Sequence, residues 1–264
     1  MFCLKNLFLH LVLFSTVLTP LTAFSNAAFD HNYKSYEEIL KKFVVVSGPV
    51  STVKYKSLKT NRTELDQFTQ SLSSVTQKQF NEWTQPQQIA FLINAYNALT
   101  LKLIIDHYPV KSIKKIGSFF SSPWKKEFFS LFGKKSFLDH IEHGILRKKY
   151  SEPRVHFAVN CASIGCPALA NFAYTAEKLE EQLQQQTKLF LSDSKRNTLN
   201  TKSKTLRLSK IFDWFEEDFS KNKNSVAKFI APHITGDKTL QKSIIDGTYK
   251  IEFHSYDWNL NDQR

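Results

Sequence analysis

The chain has 264 residues, and its 36 Lys and Arg outnumber 24 Asp and Glu to give a formal charge of +12. Aromatic residues make up 14% of it, which is enough apolar bulk for one sizeable core, and neither a repeat nor a low-complexity tract interrupts it. Such an excess favours an anionic envelope polymer, lipid head groups or nucleic acid, while its scattering in short lysine clusters fits a solvated surface. No nucleic-acid fold signature and no phosphate-binding glycine loop accompanies the lysines, so neither a nucleic-acid partner nor a nucleotide enzyme is expected.

Near the start, Lys5 precedes an apolar run from Leu7 to Leu18, and the small residues Ser25, Asn26 and Ala27 follow. This is the pattern of a secretory signal peptide, with cleavage expected after Ala27 and a secreted or periplasmic product. Asn6, His10, Ser15, Thr16, Thr19 and Pro20 break the run below the roughly 20 apolar residues that a membrane span needs. Further on, no second run long enough to span is expected, so none should remain after cleavage. Removing Lys5, the only charged residue of the leader, leaves +11, one below the +12 of the whole chain. Residues 28–84 are expected as a helical segment packed on a domain spanning 85–264.

In chain order, Tyr33 to Val46 has helical spacing of Tyr36, Ile39, Leu40 and Phe43 and stops at Gly48-Pro49. Val50 to Tyr55 alternates as a strand does, and Thr63 to Val75 places Leu65, Phe68 and Leu72 on one helical side. Phe80 and Trp83 belong to another short helix. Pro86 then suits the first turn of the most apolar helix of the mature chain, Gln87 to His107, where Asn94 and Asn97 must find buried partners. A hairpin is expected around Gly133-Lys134-Lys135, then a helix from Leu138 to Lys149 with Glu142 and His143 beside its apolar stripe.

Val155, Phe157 and Val159 alternate as a short strand, and the turn-forming residues from Asn160 to Pro167 end it, leaving Cys161 on a turn. Tyr174 to Leu191 reads as an amphipathic helix with its glutamines outward. Thr198 to Leu208 reads as a second hairpin. Glu216, Glu217 and Asp218 are taken as a solvated helix side. Helices near Val226 to Ile230 and Leu240 to Ile245 and a strand from Tyr249 to Phe253 complete the chain. The expected class is α+β: a mostly helical single domain around a small, largely antiparallel sheet.

The stretch RVHFAVNCASIGCPAL from Arg154, together with QQIAFLINAYNALTLKLIIDHYPVKSI, LDHIEHGILR, LSKIFDWFEEDF and SYDWNLN, resembles the family called domain of unknown function 547 in the order of its blocks. The resemblance extends from about Gln85 to Asn261. It implies a fold found in bacterial secreted proteins and as a module of larger plant proteins, without an established activity. Where His140 stands, the family usually has an acidic residue; Glu142 and His143 match its motif.

Loss of Cys3 with the leader leaves Cys161 and Cys166. Three chemistries are compatible with them. In the first, Cys161 is the nucleophile of an acyl hydrolase or transferase acting on peptide-like envelope material. His143 is then the base (His156 the alternative), Glu142 or Asn94 orients the imidazole, and Asn160 or Asn97 stabilises an oxyanion. In the second, a Cys161–Cys166 disulfide is a structural staple in a non-catalytic binding domain whose basic surface meets an anionic partner. In the third, the pair cycles in thiol–disulfide exchange, with a spacer longer than Cys-X-X-Cys. His140, His143, His156 and the cysteines match no standard zinc spacing, so neither metal nor cofactor is expected.

Overall fold

Two clusters of buried apolar side chains organise the packing among the described residues, and a short turn joins them. The computed structural model describes residues 29–117, 121–221 and 224–263, so the expected leader, residues 1–27, lies outside the described residues. Helix α1 (Lys34–Phe43) buries Tyr36, Ile39, Leu40 and Phe43. It ends at Phe43 rather than Val46, because the β-branched run that follows favours an extended backbone. That run forms β1 (Val44–Ser47), which turns through Gly48 at φ 54° into antiparallel β2 (Val50–Val53).

Helices α2 (Tyr55–Thr60), α3 (Thr63–Ser73) and α4 (Gln77–Glu82) lead to the central α5 (Gln85–His107). Both α4 and α5 open with capping boxes, Thr76 with Gln79 and Thr84 with Gln87. Such a cap contributes about 1 kcal/mol. Contrary to the sequence expectation, α5 is long and apolar enough to cross a membrane, but 94% of its most apolar window is buried inside the protein. It is the axis of the larger core.

The polar residues of α5 hold other segments in place. Gln88 donates to the Phe80 and Trp83 carbonyls at 2.9 and 3.0 Å and accepts from Tyr150 at 2.7 Å. Asn94 donates to the Tyr174 carbonyl at 2.8 Å and accepts its N–H at 3.0 Å. Asn97 donates to the Ala158 carbonyl at 2.9 Å and accepts the Asn160 N–H at 2.8 Å. Each buried amide thereby satisfies loop backbone that would otherwise lose its water unrewarded.

The hairpin β3 (Phe129–Leu131) and β4 (Lys134–Ser136) forms as expected. Next comes a π-helix, His140–Leu146, continued by α6 (Arg147–Lys149). The strand expected at Val155 is instead a 3-10 turn, Pro153–Phe157, in which Glu152 accepts the Arg154 N–H. Pro153 presets the turn's first φ. The apparent alternation arises because Val155 joins the larger core and Phe157 the smaller one, with His156 between them.

Helix α7 (Leu179–Leu191) begins later than Tyr174, which Asn94 holds in the preceding loop. Gln182 and Gln186 are buried rather than outward; Gln182 accepts the Thr175 N–H and donates to the Ala173 carbonyl, so that same loop draws it in. β5 (Thr198–Asn200) and β6 (Thr205–Leu208) pair antiparallel. Beyond them lie α8 (Ile211–Trp214), α9 (Glu216–Phe219), α10 (Val226–Ile234) and α11 (Lys238–Ile245). Last, β7 (Lys250–Phe253) pairs parallel with β6. The α+β class holds, with the strands of the described residues divided among three small sheets.

Candidate functional site

A cavity of about 250 Å³ opens where the cysteine loop, the π-helix, α8 and the C-terminal segment meet. At its floor Cys161 and Cys166 are joined by a disulfide. The loop between them is held from several sides. Asn160 donates to the Pro167 carbonyl at 2.7 Å and accepts the Ala162 N–H at 2.8 Å. That contact keeps Ala162 in the left-handed region at φ 61°, a conformation costing a non-glycine residue about 1 kcal/mol. The C-terminal segment closes over the loop, since the Ile164 and Gly165 N–H groups donate to the Asn259 and Asp257 carbonyls, each at 2.8 Å. A Cβ on Gly165 would sit 2.9 Å from the Tyr256 ring, so glycine is what lets that ring come down onto the sulfurs.

Hydrogen-bond donors converge on the sulfur pair. The Cys161 N–H donates to Cys166 Sγ at 2.9 Å, and the Tyr256 hydroxyl lies 3.1 Å from Cys166 Sγ and 3.2 Å from Cys161 Sγ. Ser163 Oγ is 3.0 Å from Cys161 Sγ, 3.1 Å from the Tyr256 hydroxyl and 3.6 Å from Cys166 Sγ, and its one proton serves one of these acceptors at a time. Burial pushes the Tyr256 hydroxyl above its ordinary value, against the pull of Ser163 and of the Arg196 charge. It remains protonated, and so a donor, throughout the physiological range.

Carboxylates and imidazoles form the cavity's opposite side. Arg147 donates to His143 Nδ1 at 2.8 Å. A guanidinium has no acceptor, so the neutral ring carries its proton on Nε2, which faces Asp139 Oδ1 at 3.8 Å. His156, with 1% of its side chain exposed, places Nε2 2.8 Å from Asp218 Oδ2 and stacks on Phe215 with centroids 3.9 Å apart. Its Nδ1 has no hydrogen-bond partner and lies 3.9 Å from Glu142 Oε1. The Tyr96 hydroxyl bonds to Glu142. Burial raises the Asp139 carboxyl, with the His143 charge opposing and the Glu142 charge reinforcing the rise. For Asp218 burial acts in the same direction, but hydrogen bonds from His156, Arg147 and Lys221 override it and hold this carboxyl far below the usual range.

The cavity brings together Cys161, Cys166, Glu142, His143 and His156 of the sequence-derived set. Asn94 and Asn97 lie away from it, bonded to the Tyr174, Ala158 and Asn160 backbone, and Asn160 has its side chain spent within the cysteine loop. Asp218 corrects the solvated-side expectation, being 8% exposed and bound to Arg147 at 2.5 Å. Sequence reasoning missed Asp139 and the aromatic wall of Trp124, Trp214, Tyr256 and Trp258. The available signal was the density of aromatic residues in FDWFEEDF and SYDWNLN.

The fold and site define an α+β protein with an aromatic cleft over a disulfide. Residues 80–191 match the model of the family described as Protein of unknown function, DUF547. No curated protein and no solved structure matches the chain.

Proposed function

We propose that the Cys161–Cys166 pair is a redox couple that exchanges with a thiol or disulfide held in the aromatic cleft. The observation carrying this reading is the convergence of the Cys161 N–H and the Tyr256 and Ser163 hydroxyls on the sulfurs. Cys161 is partly exposed and Cys166 buried, so an incoming thiolate meets Cys161 Sγ first. As the new S–S bond forms at Cys161, the old one breaks and Cys166 leaves as a thiolate under those donors. A second substrate thiolate then attacks the substrate's own sulfur in the mixed disulfide, so that the substrate disulfide forms and Cys161 leaves as a thiolate. Another disulfide of higher potential restores the pair.

Exchange of this kind needs donors and access but no general base. The hydrolase reading needs a reduced Cys161 with a base at its sulfur, whereas the side-chain oxygens hydrogen-bonded to that sulfur are the Ser163 and Tyr256 hydroxyls. A peptide-like substrate fits either chemistry. We place the protein in an exported, oxidising compartment on the strength of the Leu7–Leu18 run.

Equilibration with glutathione buffers, read by alkylation and intact mass, tests the proposal. The expected midpoint lies above about −300 mV, the upper edge for structural disulfides. Cys166→Ser should trap a mixed disulfide at Cys161, and Cys161→Ser should trap none. A midpoint below that edge, with both variants losing thermal stability and trapping nothing, makes the bridge a staple and the protein a binding domain.

A further inference from the structure

The chain carries 36 Lys and Arg against 24 Asp and Glu, yet no Lys or Arg is among the described residues lining the cleft. Its charged lining groups are the carboxylates of Asp139 and Glu142. Of the cations nearby, Arg147 is turned away, with Nε on Asp218 and Nη1 on His143, while Lys125 acts on Asp139 and Lys114 lies over the Trp258 ring. The cleft is thus reversed in sign relative to the chain as a whole.

A second and independent feature is His156. Asp218, held ionised, accepts the Nε2 proton, so in the neutral ring Nδ1 presents a lone pair. That atom is buried and unpartnered, and 3.9 Å separates it from Glu142 Oε1, too far for a hydrogen bond between them. Two acceptors at this separation are bridged by one nitrogen carrying two N–H donors about 2.8 Å from each. The other wall is π-electron surface: Trp214 lies 4.8 Å from Tyr256 and 5.6 Å from Trp258, centroid to centroid. Trp258 already carries one ammonium, the Lys114 Nζ, 4.6 Å from its ring centroid. An indole face is the strongest side-chain partner for such a cation.

We propose that the cleft seats a primary ammonium group, with Glu142, His156 Nδ1 and Asp139 accepting its protons and Trp214 and Trp258 walling its alkyl stem. The substrate class is therefore an amine-bearing molecule, such as a peptide presenting a lysine side chain. This deepens the exchange reading by giving the substrate a charge, and rests on it only for the thiol.

The test uses the oxidised protein and sulfur-free probes, so exchange chemistry plays no part. Butylammonium, butanol and butyrate, matched in size, are titrated by calorimetry and tryptophan fluorescence. Butylammonium should bind about tenfold more tightly than butanol, and butyrate no more tightly than butanol. Glu142→Gln and Asp139→Asn should each weaken butylammonium binding about fivefold or more, in protein whose melting temperature shows it folded. Trp214→Leu, at a side chain 42% exposed and thus safe for folding, should weaken it several-fold. Equal binding of butanol, tighter binding of butyrate, or indifference to all three substitutions overturns the assignment. Ammonium binding in a protein whose sulfurs do not exchange sinks only the redox reading; exchange without ammonium selectivity sinks only this one.

Discussion

Replacing Tyr256 by Phe isolates one oxygen atom at the sulfur pair. The ring contacts with Trp214 at 4.8 Å and Trp258 at 4.5 Å survive, as does the close approach to Gly165, so the fold should be unchanged. What disappears is a donor 3.1 Å from Cys166 Sγ and 3.2 Å from Cys161 Sγ. A hydrogen bond to a charged acceptor contributes about 1.5–3 kcal/mol, against about 0.5–1.5 kcal/mol for a neutral one. The reduced, ionised pair therefore loses about 1 kcal/mol more than the disulfide does, which makes the disulfide harder to reduce. Since about 1.4 kcal/mol corresponds to 30 mV for two electrons, the midpoint potential should become about 20 mV more negative. The pH midpoint for alkylation of the reduced protein should rise by about 0.7, at 1.36 kcal/mol per pH unit. Redox titration against glutathione and the pH dependence of iodoacetamide labelling measure the two effects. If both match wild type while the melting temperature holds, the hydroxyl is packing and the donor argument for exchange is wrong.

Asp218→Asn removes the carboxylate charge shared by Arg147 and His156, and stranding a buried charge typically costs about 3–5 kcal/mol. Because the Asp218 carboxyl is held below its unfolded value near 3.9, its contribution is present above that pH and lost as the pH falls below it; urea melts from pH 3 to 7 should show wild type losing acid stability that the variant never had. Asn94→Ala and Asn97→Ala each leave buried loop backbone groups without partners, at about 1–3 kcal/mol per group, and should lower the melting temperature while the potential of the sulfur pair stays within error for Asn94→Ala. A potential moved by Asn94→Ala, with stability unchanged, would give that amide a role in the chemistry.

What could be read from the sequence was local. The apolar density around Gln87–His107 identifies a buried helix, and its two asparagines are legible as groups that need partners. Their identity is not, because Tyr174 and Asn160 lie 80 and 63 residues further along the chain. The same limit hid Asp218. In a four-residue helix beside Glu216 and Glu217 it has every local mark of a solvated carboxylate, and only Arg147, 71 residues earlier, and His156, 62 residues earlier, make its burial tolerable. His156 was misplaced for a related reason. Alternation of buried residues signals a strand when one core is present, but here successive residues serve two cores and a cleft.

The site is also assembled late in the chain, and this bears on how it works. Tyr256 lies 90 residues beyond Cys166, and the segment that carries it is fastened by backbone bonds from Ile164 and Gly165, the residues inside the cysteine loop. Loop and C-terminal segment therefore stabilise each other: the disulfide limits the conformations of the loop whose N–H groups hold the segment, and the segment supplies the hydroxyl that touches the sulfurs. By thermodynamic linkage, anything that loosens the segment must also change the equilibrium between disulfide and dithiol. An occupant of the cleft packed against Trp258 and Trp214 would hold the same segment down from the other side. On the exchange reading proposed above, substrate binding and the redox poise of Cys161–Cys166 would be two readings of one docking equilibrium, which is the arrangement an exchange protein needs if its sulfurs are to react with what the cleft holds rather than with any passing thiol.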